Sequence, residues 1–327
     1  MTNILVAVDD FVDRHRKAIL AATSPWARVR FLPEHGDDDL YRQVLAESEI
    51  VVGWPDPAWL AGTPVRFLQI GSAGFDAYAG FGSESVRLCT ARGVHSIGVA
   101  EHSIALMMAL MRNIPGHFRD RERRVFRRIP PYGEVTGSVA CIVGFGAIGR
   151  TLAARCRGLG MVTTAVDLHE SLEDPVLDRY FPLPMLRTAL GLADVVFLTL
   201  PGGEAARHLF DADLLAALKP GACLINGARG SLIDETALVE ALREGRLRGA
   251  GLDVAEVEPL PPDSLLWELD NVLITGHCGG FATHMFDRFC NLVCDNLTRY
   301  HRGEPLKNQI DWSTECPRSL TPSASPA

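Results

Sequence analysis

No apolar run in the sequence reaches the roughly twenty residues that a membrane-spanning helix requires. The first residues, MTNILVAVDD, carry neither a basic flank nor a small-residue cleavage site, so a cytoplasmic location is the expectation. The eight cysteines stand at 89, 141, 156, 223, 278, 290, 294 and 316, without a C-x-x-C pair or a histidine cluster at ligand spacing. Neither disulfides nor a metal is therefore expected. Charge of one sign is also scarce: the net value is −8, which gives no bulk attraction to nucleic acid or to an anionic membrane. The single basic run, HFRDRERRVFRR at 117–128, is broken by acids and reads as a solvated helix face. Repeats are absent. Low complexity is confined to 313–327, a Ser/Thr/Pro-rich tail expected to be disordered.

What is present is an ordinary globular composition, 47% hydrophobic and 22% charged over 327 residues, long enough for two domains with separate cores. The stretch that organises the chain is SVACIVGFGAIGRTLAARCRGLGMVTTAVD, residues 138–167. An apolar β-branched run at 139–143 reads as a buried parallel strand. Gly144, Gly146 and Gly149 then form G-x-G-x-x-G, and Ile148, Leu152 and Cys156 follow at helical spacing. A second apolar run, 161–166, ends on Asp167. Gly144 permits a tight turn, Gly146 lets backbone approach a pyrophosphate, and Gly149 lets helix pack on strand. The helix N-terminus, at Ala147 and Ile148, faces the phosphates. This context makes a dinucleotide site the expectation. Asp167 can accept hydrogen bonds from ribose hydroxyls and repels a 2′-phosphate, and Leu168 and His169 bring no arginine, so NAD is expected rather than NADP.

Around this stretch short strands alternate with helical segments, which implies βαβ units and parallel sheets. Strands are expected at 4–8, 29–32, 50–53, 67–70, 195–200, 223–226, 250–254 and 272–275. Helices are expected at 14–22, 40–48, 99–112, 214–218, 235–243 and 281–301. The 99–112 segment, very apolar at helical spacing, suggests a buried helix between domains. Ligands in such folds bind beyond the carboxyl ends of strands. Two loops there stand out in the N-terminal part: Gly53-Trp54-Pro55, and GSAGFD at 71–76. Trp54 could close a pocket or pack on its own domain. The GSAGFD backbone, around Ala73 and Gly74, could bind an anion or simply turn.

Three later strand ends carry polar residues that packing alone explains poorly: Arg229 in NGARGSLID, Asp253 and Glu258 in GLDVAEVEPLPP, and His277 in TGHCGG. A planar guanidinium can engage the carboxylate and carbonyl of a 2-oxoacid together. As the carbonyl carbon is reduced its oxygen needs a proton. Histidine can supply one near neutral pH, and a carboxylate neighbour favours its charged form.

With these residues in place the chain resembles the D-isomer-specific 2-hydroxyacid dehydrogenase family. The resemblance rests on GSAGFD, VAEHSIAL, VGFGAIG, TLPGG, NGARGSLID, GLDVAEVEPLPPDSLLW and ITGHCGG, in family order. It implies an α/β, two-domain fold in which a Rossmann-type doubly wound parallel sheet is inserted into a flavodoxin-like substrate domain, with the active site in the cleft. The domains would be 1–98 plus 286–327 and 99–285. It implies that Arg229 grips and polarises a small 2-oxoacid, that His277 is the acid/base, and that Glu258 orients and charges it. Leu200, Pro201, Asp253 and the backbone near Ala228 would serve the cofactor, with Asp253 and Ala228 on the nicotinamide carboxamide. Trp54, Ala73 and Gly74 would serve the substrate, glyoxylate and hydroxypyruvate being family substrates. A homodimer, built around the 99–112 helix and the basic segment, is also implied. Gly276, Cys278 and Gly202-Gly203-Glu204 depart from the family pattern. Glu258 argues against the formate dehydrogenases, which carry glutamine there. Phosphite dehydrogenases and the NAD-sensing corepressors share the Arg, Glu and His residues and stand as alternatives.

Overall fold

The structure, a computed structural model, describes residues 1–78 and 86–312, and of residues 10–13 the backbone alone. The 313–327 tail singled out by its composition lies outside the described residues. The chain divides into two compact units, one comprising Met1–His95 and the return from Ala282, the other Ser96–Phe281.

The first unit is built on β1 (Thr2–Ala7), β2 (Ala27–Leu32), β3 (Ile50–Gly53), β4 (Phe67–Gln69) and β5 (Arg87–Cys89). They lie parallel in the order β2-β1-β3-β4-β5, the flavodoxin-like order. Central strands buried on both faces must be apolar throughout, and Ile4–Ala7 and Ile50–Val52 are. Helix α1 (Asp9–Thr23) and the C-terminal helix Met285–Arg302 cover one face, where Phe289, Val293 and Leu297 meet Ile4, Val6, Ile50 and Phe67. Helix α2 (Asp38–Leu45), N-capped by Asp37, covers the other with Tyr41, Val44 and Leu45. The C-terminal helix begins later than its apolar pattern suggests, because Phe281 lies in a turn and is 70% exposed. Strand β5, three residues long, has too little alternation to be read from sequence.

The second unit carries seven parallel strands: β6 (Val139–Val143), β7 (Val162–Asp167), β8 (Arg179–Pro182), β9 (Val195–Leu198), β10 (Cys223–Asn226), β11 (Gly249–Leu252) and β12 (Val272–Ile274). Their order is β12-β11-β10-β9-β6-β7-β8, a doubly wound sheet whose strand order reverses between β6 and β9. Helices α3 (Ser96–Met111) and α5 (Ala147–Gly158) share one face with the core of Met107, Leu152, Ala153 and Ile225. Helices α6 (Leu186–Leu192), α7 (Ala212–Ala216) and α8 (Glu235–Arg243) take the other. Asp211 and Asp234 cap α7 and α8, which moves α7 two residues earlier than its leucines suggest.

The basic run departs from the helix expected over 117–128. Helix α4 (Ile114–Glu122) ends there, Arg124 turns left-handed at φ 57°, and the Val125 N–H closes on the Asp120 carbonyl. Arg127 then folds back onto the buried Asp120 carboxylate at 2.7 Å. An internal acid thus claims an arginine that a continued helix would have carried two turns, about 10 Å, along its axis.

Among the described residues seven cysteines are free thiols. Burial pushes Cys89, Cys141, Cys156 and Cys223 up to about 12, so they behave as small apolar side chains. No helix among the described residues is long and apolar enough to cross a membrane.

Candidate active site

The glycine motif sits where the strand order reverses. Gly144 closes β6 at φ +97°, and a Cβ there would lie 2.9 Å from the Leu200 nitrogen at the end of β9. A Cβ on Gly149 would meet the Gly144 carbonyl at 2.3 Å, so α5 can approach the strand only with glycine there. The Thr199 hydroxyl donates to the Gly144 carbonyl at 2.5 Å, tying the two loops. Gly146 has open space on the side where a Cβ would stand, and it heads α5 with no side-chain cap. The first amides of that twelve-residue helix, from Ala147 and Ile148, thus head a helix N-terminus of the kind suited to an anion. Asp167, half-buried at the end of β7, accepts from the Phe145 N–H at 2.5 Å and from the Leu168 N–H at 2.6 Å. Leu168 and His169 are exposed, and Arg150, on the first turn of α5, is paired with Asp174. These features fit a nicotinamide dinucleotide, whose pyrophosphate the α5 amides would hold.

Beyond β10, β11 and β12 three loops carry the other polar residues. After β10, Asn226 folds its own loop: its Nδ2 donates to the Arg229 carbonyl at 2.8 Å and its Oδ1 accepts from the Ala228 N–H at 3.0 Å. The half-buried Arg229 side chain donates to the Ala228 carbonyl at 2.7 Å. The next residue runs against the neighbouring loop so closely that a Cβ on Gly230 would lie 1.9 Å from the Ala255 carbonyl. The loops bearing Arg229 and Glu258 are thereby held at one spacing. Glu256 steadies the second: its N–H donates to Glu235 at 2.7 Å, and its carboxylate receives His208 Nε2 at 2.7 Å and Arg207.

Glu258 Oε1 accepts from the Ala255 N–H at 3.1 Å, and Oε2 lies 2.8 Å from His277 Nδ1. Nδ1–H must be the donor to a carboxylate, which leaves Nε2 as the ring atom available to a substrate. The pair is partly open, with side chains 52% and 40% exposed. His277 holds φ 52°, a left-handed geometry that costs a non-glycine residue about 1–2 kcal/mol. Asp253 enforces it. The Asp253 carbonyl accepts the His277 N–H at 2.7 Å, Oδ1 accepts Cys278 N–H at 3.0 Å, and Oδ2 accepts Gly279 N–H at 2.8 Å.

Asp253 is thus only 3% exposed and anchors the histidine loop, a role that its place in GLDV does not reveal. Two further residues escaped the sequence reading. Thr275 donates its hydroxyl to Asp253 Oδ1 at 2.6 Å, and His102 Nε2, on α3, lies 2.8 Å from that hydroxyl. The sequence signal was a histidine, beside Glu101, in a largely apolar helix. Gly98, one turn before His102, admits the loop, because a Cβ there would lie 2.7 Å from the Gly279 carbonyl.

In the first unit Trp54 packs its ring over Gly71, where a Cβ would come within 2.5 Å of it, and its Nε1 points to Ser72 Oγ at 3.4 Å. Ser72 Oγ donates to the Gly74 carbonyl at 2.7 Å, and His95 Nε2 donates to Gly71 O at 2.8 Å. The GSAGFD loop is a cross-braced turn, with Ala73 and Gly74 half-buried at its crest.

Comparison with known proteins adds an independent line. The family model described as "D-isomer specific 2-hydroxyacid dehydrogenase, NAD binding domain" matches residues 104–279. The (S)-sulfolactate dehydrogenase of Chromohalobacter salexigens is 35% identical over 218 residues, covering 65% of this chain and 70% of the relative. The glyoxylate reductase of Korarchaeum cryptofilum is 33% identical over 247 residues, covering 71% and 74%. The crystal structure of the D-isomer specific 2-hydroxyacid dehydrogenase from Xanthobacter autotrophicus, in complex with NADPH and MES, superposes with TM-score 0.79 at 26% identity and covers 95% of this chain and 98% of that one.

Proposed function

The chain belongs to the D-isomer specific 2-hydroxyacid dehydrogenase family, and on that premise we propose that Arg229, Glu258 and His277 carry the interconversion of a small 2-oxoacid and its D-2-hydroxyacid. The observation that supports this assignment most directly is the 2.8 Å contact between Glu258 and His277 Nδ1. When bound, the dinucleotide supplies or accepts the hydride. The Arg229 guanidinium pairs with the substrate carboxylate and polarises the carbonyl. His277 Nε2–H gives its proton to the carbonyl oxygen as negative charge develops there, and the neutral imidazole takes it back in the oxidative direction. Glu258 holds the Nδ1–H tautomer and offsets the positive charge of the imidazolium. The amides at Ala73 and Gly74 take part in carboxylate binding, with Trp54 beside them. Asp253 and Ala228 hold the carboxamide end of the cofactor, and Leu200 and Pro201 line its path.

Glyoxylate and hydroxypyruvate are the proposed substrates, glyoxylate also being the substrate of the archaeal relative by its name. The cofactor preference proposed is NADH, on the Asp167 carboxylate and its exposed neighbours Leu168 and His169. A panel of 2-oxoacids assayed with NADH and NADPH tests both points. We expect turnover with a small 2-oxoacid and a kcat/KM at least about tenfold higher with NADH, a difference of roughly 1.4 kcal/mol. Equal rates with NADPH, the cofactor held by the Xanthobacter enzyme, would contradict the reading of Asp167. Phosphite oxidation without oxoacid turnover would displace the substrate assignment.

A homodimer through the α4 segment is proposed as well. Phe118 is 56% and Phe126 107% exposed, with Val125 and Tyr132 beside them in sequence and exposed too. Several exposed apolar side chains along one segment are what an association surface would use. Light scattering should give twice the chain mass, and Phe126→Asp should shift it toward the monomer. A monomeric wild-type protein would refute the proposal.

A further inference from the structure

Behind the acid/base pair lies a second cluster, in which Asp253 meets two side chains, His102 and Cys278, that the proposed reaction does not use. His102 Nε2 from α3, Asp253 Oδ1 beyond β11 and Cys278 Sγ beside His277 lie within 4.8 Å of one another. Zinc with nitrogen, oxygen and sulfur donors at about 2.0–2.3 Å in tetrahedral array sets those donors roughly 3.3–3.6 Å apart. The His102–Asp253 separation is 3.3 Å and the Cys278–Asp253 separation 3.7 Å. An imidazole, a carboxylate and a thiolate together suit Zn²⁺ and disfavour Mg²⁺ or Ca²⁺. Cys278 is exposed and His102 partly so, which gives an ion a path in and leaves a fourth position for water.

We propose that His102, Asp253 and Cys278 form a zinc-binding site through which the metal inhibits the enzyme. Its ligands come from three separate elements, so no spacing rule finds it in the sequence. In the metal-free protein Thr275 donates to Asp253, so its oxygen accepts from His102 Nε2–H. Loading requires that proton to move to Nδ1 and the Cys278 thiol to lose its proton to solvent, so one proton leaves per ion. The inhibition follows from position: Asp253 holds the Cys278 and Gly279 amides and the His277 N–H, so a metal on its carboxylate moves the loop that presents His277. That second step rests on the proposed role of His277, whereas the binding step does not.

The test uses the full chain, reduced with a non-coordinating phosphine. Titration with Co²⁺, a spectroscopic stand-in for zinc, should give a thiolate-to-metal charge-transfer band that saturates at one equivalent and is displaced by Zn²⁺. Cys278→Ala should remove the band and weaken Zn²⁺ binding by about tenfold or more. Zn²⁺ should inhibit the wild-type enzyme at concentrations at least about tenfold lower than it inhibits Cys278→Ala, each relative to its own metal-free rate. No band in the wild-type protein, or a band that persists in Cys278→Ala, overturns the site; the second result would point to Cys290 and Cys294, whose sulfurs lie 3.9 Å apart. Equal zinc sensitivity of the two enzymes overturns the inhibition. A protein that turns over no oxoacid but shows the Cys278-dependent band would sink the proposed function and leave the metal site standing.

Discussion

Replacing His277 by alanine should lower kcat for 2-oxoacid reduction by about 10²–10⁴-fold, the range a positioned acid/base contributes, while NADH still binds. The expectation follows from the ring's two nitrogens. Nδ1–H is committed to Glu258 at 2.8 Å, so Nε2 alone can exchange a proton with substrate, and no other described residue is coupled to Glu258 in that way. Glu258→Gln separates the two roles. The amide keeps much of the shape and can still accept from Nδ1–H, but it removes the negative charge that offsets the imidazolium, so kcat should fall less than in His277→Ala. NADH binding followed by fluorescence, together with steady-state rates for both variants, checks the ordering. Wild-type rates in His277→Ala would remove the histidine from the mechanism. A Glu258→Gln enzyme as impaired as His277→Ala would mean that the carboxylate does more than orient and charge the ring.

The second large effect is expected at a residue with no functional group. In Gly230→Ala the new Cβ would sit 1.9 Å from the Ala255 carbonyl carbon and oxygen and 2.3 Å from the Glu256 nitrogen. These are backbone atoms that cannot rotate aside. Restoring van der Waals contact near 3.5 Å requires the two loops to part by roughly 1.5 Å. That displacement separates the loop of Arg229 from the loop of Glu258, and an error of about 1 Å in a catalytic group costs about 100-fold. We expect kcat/KM to fall by about that factor or more, with the cofactor domain still folded, since Gly230 lies beyond the end of β10 rather than inside a strand. Circular dichroism and NADH binding monitor the fold while kinetics report the site. Unimpaired kcat/KM would show that the loops move independently, and that the close approach of Gly230 is incidental.

The sequence by itself determined the architecture of this protein. Buried parallel strands must be apolar on both faces, so runs such as those ending at Val143, Leu198 and Asn226 announce themselves, and the glycines after β6 mark a turn that other residues would obstruct at Gly144 and Gly149. Arg229, Glu258 and His277 stood out as candidates for a related reason: they are polar residues beyond apolar strands, where ligands bind in such sheets. Short edge elements, β5 and β8, stayed hidden because they carry little periodicity, and the helix expected through the basic run failed because Asp120 recruits Arg127 from outside it. Tertiary structure alone decided which polar groups meet. Asp253 became the anchor of the histidine loop, and His102, Thr275 and Cys278 became its partners, although His102 stands some 150 residues before Asp253. Local periodicity records the face a side chain presents. Contacts between side chains depend on how separate strands and helices are stacked, which the packing of the whole core settles.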